Sequence, residues 1–201
     1  MPKKIRESRE ELRQAMIETA ERVIVSDGVS ALTARRLASE LNIAVGTTYN
    51  VFKDMSGLIE EVNARTIARI TEEISGVDSL SGDGEEVLMR YADAYIGFVR
   101  SNQNLWAALF TGEVDPESPS HQRNLKNTLR LFDFLQAALK TIAPDTDEKI
   151  LSASARALWA AVHGMLSLVA GNRHEILGLG DIRETIRILV HNHVAGMRAS
   201  S

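Results

Sequence analysis

The chain has no cysteine, and only four of its 201 residues are proline. Without cysteine there is no disulfide framework, thiolate zinc site, iron–sulfur cluster or cysteine nucleophile, which fits a reducing compartment. No apolar run reaches the roughly 18–20 residues that a membrane span needs, because the longest, at 157–170, is broken by His163 and Ser167. The first residues are basic but precede no apolar signal core. We therefore expect a cytoplasmic protein without a membrane partner.

Charge is unevenly distributed along the sequence. The formal net charge is −4, but residues 1–56 hold nine basic and eight acidic residues, a net +1, whereas residues 57–201 carry a net −5. Five of those nine basic residues lie in the first thirteen positions. This asymmetry indicates that a nucleic acid, if one is bound, contacts the N-terminal part of the chain.

Apolar residues recur at three- and four-residue spacing, and all four prolines lie outside these stretches, as helix interiors require. The sequence therefore predicts an all-α fold of about nine helices. These predicted helices cover residues 7–26, 33–41, 45–52, 56–75, 84–101, 103–111, 120–142, 146–170 and 181–197.

Residues 33–52 show the spacing of a helix-turn-helix, whose second helix can enter the major groove of DNA. Thr33 is a suitable N-cap for the first of its helices, and Asn42 tolerates the left-handed conformation that the turn needs. The second helix begins with small residues, continues with uncharged hydrogen-bonding groups and is flanked by cations. These candidate DNA contacts are Arg35, Val45, Gly46, Thr47, Tyr49, Asn50 and Lys53. From spacing alone, a helix pair that only packs, with Tyr49 in its core, is an open alternative.

Residues 12–62 resemble the N-terminal domain of the tetracycline-repressor (TetR) family of regulators. The resemblance is carried by Asp27-Gly28, Leu32-Thr33, Leu37-Ala38, Leu41-Asn42-Ile43, Gly46-Thr47-Thr48-Tyr49, Phe52 and Leu58. It implies phosphate contacts for Thr33, Thr47, Tyr49 and Lys53. It implies groove contacts for Arg35, Val45, Gly46 and Asn50. The implied organisation is a helix-turn-helix DNA-binding domain at 1–55 and a larger helical domain for ligand binding and dimerisation at 56–201.

Three positions depart from the family pattern. Asn42 and Ala44 stand where glycine and serine are usual, and Ala44 has no side-chain oxygen with which to cap the next helix. Met55 replaces a lysine that usually contacts a phosphate. We therefore expect Lys53 to carry more of the phosphate binding.

The acidic remainder contains no recognisable catalytic pattern. It has no His-Glu-x-x-His, P-loop or Gly-x-Gly-x-x-Gly motif, and His191 and His193 are two residues apart, so they point in different directions on a helix. A Ser/His/Asp triad is not excluded by the sequence, but no nucleophile elbow supports one. We expect a non-enzymatic protein without metal or cofactor.

Aromatic side chains in this part are spaced to line an apolar cavity, with a few polar groups to orient a ligand. Simple core packing is the alternative for each of them. The predicted ligand contacts are Tyr91, Tyr95, Phe98, Trp106, Phe110, Arg130, Trp159 and His163. Trp159 to Gly164 is similar to the W-x-x-x-H-G signature of one C-terminal domain type in the same family, and both a satisfied core role and ligand contact are open for His163.

The predicted helices at 146–170 and 181–197 have a broad apolar surface. The first of them is lined with small residues, which let helices approach closely. These small residues are Ala153, Ser154, Ala157, Ala160, Ala161 and Gly164. The family resemblance implies that these two helices form a four-helix interface in a homodimer, with recognition helices one DNA turn, about 34–36 Å, apart or farther.

The combined hypothesis is a dimeric transcriptional regulator, most simply a repressor. A small apolar effector would release it from a near-palindromic double-stranded operator. One alternative is an all-α small-molecule carrier or enzyme in which the N-terminal helices only pack. A second is a constitutive DNA-binding protein with a filled core.

Overall fold

A computed structural model describes residues 9–111, 116–170, 178 and 180–200. These residues form nine α-helices and one 3₁₀ turn at Val29–Ala31, without a strand. The helices are α1 (Arg9–Asp27), α2 (Ala34–Glu40), α3 (Val45–Val51), α4 (Met55–Ser75), α5 (Gly84–Ser101), α6 (Gln103–Ala108), α7 (Pro119–Ile142), α8 (Glu148–Ala170) and α9 (Ile182–Ser200). The predicted all-α architecture with about nine helices is confirmed.

Most helix ends agree with the sequence-based boundaries to within a residue or two. The predicted start at Glu7 and the basic residues of the first eight positions lie outside the described residues. Helix α6 ends at Ala108 rather than at residue 111. The next three backbone N–H groups bond to carbonyls three residues back, at 3.2–3.3 Å, so the last turn is tightened. None of the described helices is both long and apolar enough to span a membrane.

Contacts divide the chain into two compact units that are not contiguous in sequence. The first unit comprises residues 1–68 and 102–125, and the second comprises residues 69–101 and 126–201. Helices α4 and α7 therefore each contribute residues to both units. The predicted division of the DNA-binding domain from the rest at residue 55 concerns function and stays a prediction.

The first unit is built around the buried face of α1. Side chains from α2, α4, α6 and the segment after α3 pack against that face, because the apolar stripe of α1 needs cover from several short helices. The largest contributors are Met16, Ile17, Ile24, Leu37, Phe52, Leu58 and Leu105. The core thereby fixes α2 and α3 against α1.

The second unit packs α5 against α8 and α9. Helix α5 begins with a reciprocal cap, in which Asp83 Oδ1 accepts from the Glu86 N–H at 3.0 Å and Glu86 Oε2 accepts from the Asp83 N–H at 3.3 Å. Gly84 allows α5 to approach α7 closely, because a Cβ at this position would lie 2.5 Å from Ile142 Cγ1. Arg183 links α9 to α5 through two hydrogen bonds to Asp93, at 2.7 and 2.8 Å.

Candidate functional site

The turn between α2 and α3 has the geometry that the sequence predicts. Thr33 caps α2, its Oγ1 accepting from the Arg36 N–H at 3.1 Å. Asn42 adopts a φ of 51°, the left-handed conformation expected of it. The N–H of Ile43 then bonds to the Ala38 carbonyl at 2.9 Å. These local contacts hold α3 at a defined angle to α2.

Helix α3 presents most of the predicted DNA contacts to solvent. Val45 is 40% exposed and Tyr49 is 53% exposed, while Gly46 and Asn50 are exposed beside them. The remaining predicted contact on this helix, Thr47, is half-buried. An apolar and hydrogen-bonding face of one helix is thus open to a partner.

Two neighbouring arginines of α2 differ in their availability. Arg36 pairs with Asp27 and with Glu40, and its hydrogen bond holds the pKa of Asp27 below the ordinary 3.8. Arg35 is exposed and has no ion-pair partner among the residues that the structure describes, and the same is true of Lys53 after α3. The two cations that the sequence places beside α3 are therefore free to meet a polyanion.

The departures from the family pattern have structural consequences. Ala44 occupies the N-cap of α3 with φ −71° and ψ 144°, and no side chain caps this helix end. Met55 begins α4 and packs, partly buried, against the core of the first unit. The cation that usually stands at this position is replaced here by an apolar core contact.

Two arginines of α1 make contacts that the sequence analysis does not foresee. The Nη2 of Arg9 donates to the Asn50 carbonyl at 3.2 Å, near the end of α3. Arg13 lies over the Phe52 ring, with 5.1 Å from its Cζ to the ring centroid, and pairs with the buried Glu61. Glu61 lies 48 residues farther along the chain than Arg13, so no local periodicity signals this contact.

An apolar cavity of about 50 Å³ lies in the second unit. Three of the predicted ligand contacts, Tyr91, Tyr95 and Trp159, line it together with aliphatic side chains. His163 lies against two of these, because its Nδ1 is 2.9 Å from the Tyr95 hydroxyl oxygen and its ring stacks on Trp159 at 4.8 Å. Burial lowers the pKa of His163 from the ordinary 6.5.

The other predicted ligand contacts do not join this cavity. Phe98 is buried in the second unit, and Arg130 lies over the Phe134 ring with its Cζ 5.7 Å from the centroid. Trp106 and Phe110 belong to the first unit, where their rings meet edge to face at 5.1 Å. Phe110 lines a second, more polar cavity in that unit.

Helix α8 exposes much of its small-residue face in the single chain. Ala153, Ala157, Ala160 and Gly164 are exposed, and the remaining two, Ser154 and Ala161, are partly buried. The large apolar side chains of Ile150 on α8 and Ile188 on α9 are exposed as well. Across the described part of the chain, no three His, Cys, Asp or Glu side chains are grouped to hold a metal ion.

A capped helix, a tight turn and a second helix with an exposed face, in an all-α chain, form the arrangement of a helix-turn-helix DNA-binding domain. Residues 16–62 match the family model described as bacterial regulatory proteins of the tetR family. Residues 88–192, more than half of the chain, match the tetracyclin repressor-like C-terminal domain. The chain belongs to the TetR family of DNA-binding transcriptional regulators. Its resemblance to the W-x-x-x-H-G domain type stays a prediction.

Solved structures share the fold over nearly the whole chain. A protein of unknown function from Rhodococcus sp. RHA1 is 18% identical, with a TM-score of 0.73 and coverage of 97% of this chain and 98% of its own. BioQ bound to its double-stranded DNA operator is 16% identical, with a TM-score of 0.64 and coverage of 93% and 98%. The regulator PfmR from Thermus thermophilus is 16% identical, with a TM-score of 0.63 and coverage of 90% and 97%. No curated protein matches the sequence significantly.

Proposed function

We propose that this regulator is a homodimeric repressor in the cytoplasm. It binds a near-palindromic operator and is released by a small apolar effector, without catalysis or a cofactor. The observation that carries the proposal is the exposed face of α3 beside two cations, Arg35 and Lys53, that no carboxylate neutralises among the described residues. The alternative of a helix pair that only packs placed Tyr49 in its core, whereas Tyr49 is exposed.

The exposed groups divide into those that position the protein and those that read sequence. The hydroxyls of Thr47 and Tyr49 and the ammonium of Lys53 are suited to phosphate oxygens. Thr33 already accepts one hydrogen bond as a cap, which leaves its O–H free to donate to a phosphate.

The sequence-reading groups are fewer. Val45 is suited to a thymine methyl, and Asn50 to the N6/N7 edge of an adenine. Gly46 lets the helix approach a groove edge, and Arg35 supplies a guanidinium there. Because so few groups face the bases, we expect modest direct readout in each half-site.

The dimer proposal rests on the surface of α8 and α9. Exposed alanines and Gly164 on α8, with Ile150 and Ile188 nearby, form an apolar surface on which helices can approach closely. In a two-fold dimer the two recognition helices would lie about 34–36 Å or more apart, and the number of phosphate contacts would double. The operator complex of BioQ supports DNA binding by this fold.

The effector proposal rests on the apolar cavity. Its volume of about 50 Å³ is far below the roughly 300 Å³ at the lower end of ligand sites, so an effector must displace side chains to enter. Ile70 and Ile74 line it from the second half of α4, whose first residue follows the helix-turn-helix by three positions. An effector that binds the expanded form more tightly would shift the population away from the DNA-binding form.

Selection of bound duplexes from a random pool, followed by titration at several salt concentrations, tests the proposal. We expect enrichment of a near-palindrome and a log–log salt slope steeper than about −4, because several phosphates are neutralised. Sedimentation of the complex gives the number of copies bound. Absence of DNA affinity at low salt, with the fold intact by circular dichroism, would refute the proposal and favour a carrier.

A further inference from the structure

We propose that a polar cavity in the first compact unit binds a small organic cation that carries N–H donors. The cavity, of about 290 Å³, lies among α4, the turn after α6 and the beginning of α7. It shares no lining residue with the apolar cavity assigned to the effector. The proposed site therefore does not depend on that assignment.

The first observation is an orphan oxygen on α4. Asn63 is 8% exposed and lines the cavity, and its Nδ2 donates to the Ala108 carbonyl at 3.2 Å. Because a carbonyl only accepts, the amide nitrogen must face Ala108, which fixes Oδ1 on the opposite side of the amide group. That oxygen is buried and has no hydrogen-bond partner.

The second observation is the same deficiency on α7. Asn124 also lines the cavity, and its Oδ1 is likewise buried without a hydrogen-bond partner. The described part of the chain has four side-chain atoms of this kind, and two of them belong to this one cavity. An amide oxygen only accepts, and a buried acceptor left unpaired costs free energy. A ligand with hydrogen-bond donors would satisfy these two oxygens.

The negative charge of the cavity wall favours a cationic ligand over a neutral one with hydrogen-bond donors. Glu60, 8% exposed, lines the cavity, and its Oε2 accepts from the Ser120 hydroxyl at 3.0 Å. No lysine or arginine is among the described residues that line this cavity. The negative charge that Glu60 brings to the wall favours a positively charged group in the same space. The imidazole of His121 also lies in the wall.

The remaining wall favours a ligand with an apolar body. Ile59, Ile67 and Leu109 line the cavity, and the ring of Phe110, which is exposed, offers an aromatic face to a cation or an aryl group. Bulk water occupies about 30 Å³ per molecule, so the volume exceeds what one or two bridging waters fill. The chemistry of the site therefore matches a primary ammonium on an aryl or alkyl chain.

Calorimetric titration of the full chain at pH 8 with three probes that share a benzyl group tests the proposal. The probes are 2-phenylethylamine, 2-phenylethanol and phenylacetate. We expect the ammonium to bind at least about tenfold more tightly than the alcohol, because charge-assisted hydrogen bonds are the stronger ones, and phenylacetate not to bind. Equal affinities for the amine and the alcohol, or preference for the acid, would overturn the proposal.

Variants locate the binding. Glu60→Gln removes the charge but keeps an acceptor oxygen for the Ser120 hydroxyl, and Asn124→Leu removes one orphan oxygen. Each is expected to weaken amine binding at least about tenfold. Tyr95→Phe, in the apolar cavity of the second unit, is the matched control and should change amine affinity less than twofold.

If Glu60→Gln does not fold, Asn124→Leu still decides. Unchanged affinity in Asn124→Leu, or loss in Tyr95→Phe, refutes the site. Absence of binding by every probe, with a higher melting temperature for Asn124→Leu, would mean that the cavity holds water only.

Discussion

Replacement of Lys53 by alanine should reduce the salt dependence of operator binding. Lys53 is exposed between α3 and α4 and is free of ion pairs among the described residues. The residue after it, Asp54, caps α4 by accepting from the Gly57 N–H at 2.9 Å, so the backbone that carries Lys53 is well defined. Met55 packs into the core instead of supplying a second cation. We therefore expect any phosphate contact at this helix junction to depend on Lys53.

The expected magnitude follows from counterion release. Each neutralised phosphate contributes about −0.9 to the slope of log K against log salt, so loss of Lys53 from both copies of a dimer removes about 1.8 from the slope. Between 50 and 200 mM salt, the wild type should then lose about twelvefold more affinity than Lys53→Ala does. A single bound copy would give only about a 3.5-fold difference. Fluorescence anisotropy with a labelled operator measures both slopes.

Lys149→Ala is the matched control for this experiment. Lys149 is an exposed lysine near the start of α8 in the second unit, so the same loss of charge occurs far along the chain from the helix-turn-helix. We expect its slope to equal that of the wild type within error. A Lys53→Ala slope that does not change, or equal reductions in the two variants, would show that Lys53 meets no phosphate.

Three other variants and one pH series extend these expectations. Tyr49→Phe should weaken binding to all operators similarly, whereas Val45→Ala should change the relative affinity for operators by about 1 kcal/mol if a thymine methyl is met; unchanged ratios would contradict that contact. Ala44→Ser should stabilise the protein by about 1 kcal/mol in urea unfolding, because α3 gains the side-chain cap it lacks, and a lower stability would disprove this. Burial lowers the pKa of His163 below 6.5, so its imidazole binds a proton more readily in the unfolded chain than in the folded one. The stability that neutral His163 contributes above pH 6.5 should therefore be lost as the pH falls below that value. His163→Gln should reduce that loss in unfolding measured between pH 7.5 and 5.5. Part of the loss of stability should remain in His163→Gln, because burial also lowers the pKa of His193.

The helices and the exposed face of α3 could be predicted because their signals are local. Thr33 and Asn42 terminate or begin helices through their own side chains and backbone preferences, and the structure places both as expected. The exposure of Val45, Tyr49 and Asn50 follows from the period of a short helix whose other face must cover the core. The ends of α6 and α9 depart from the predicted boundaries by three residues each. At α6 the reason is that periodicity does not distinguish an α-turn from a 3₁₀ turn.

The interior packing of residues 56–201 could not be predicted in the same way. Trp106 and Tyr91 are both buried aromatics in amphipathic helices, yet they belong to different compact units. Which buried aromatics share a cavity depends on long-range packing, which the period of each separate helix does not encode. The pairing of Asn63 with Asn124 around one polar cavity, 61 positions apart in the sequence, has no local signal either.

The small size of the apolar cavity bears on how an effector could act. A preformed cavity of ligand size would admit the effector in the DNA-binding form as well as in the released form, and equal affinity for two forms shifts no population. A cavity of about 50 Å³ must instead expand, and Leu131 and Leu135 of α7 line it together with Ile70 and Ile74 of α4. Both helices continue into residues of the first unit, where Glu61 of α4 accepts from Arg123 of α7. Moving the population from 1:99 to 99:1 requires about 5.5 kcal/mol of differential affinity. Burial of about 220 Å² of apolar effector surface in the expanded form alone, at about 25 cal/mol per Å², supplies that amount.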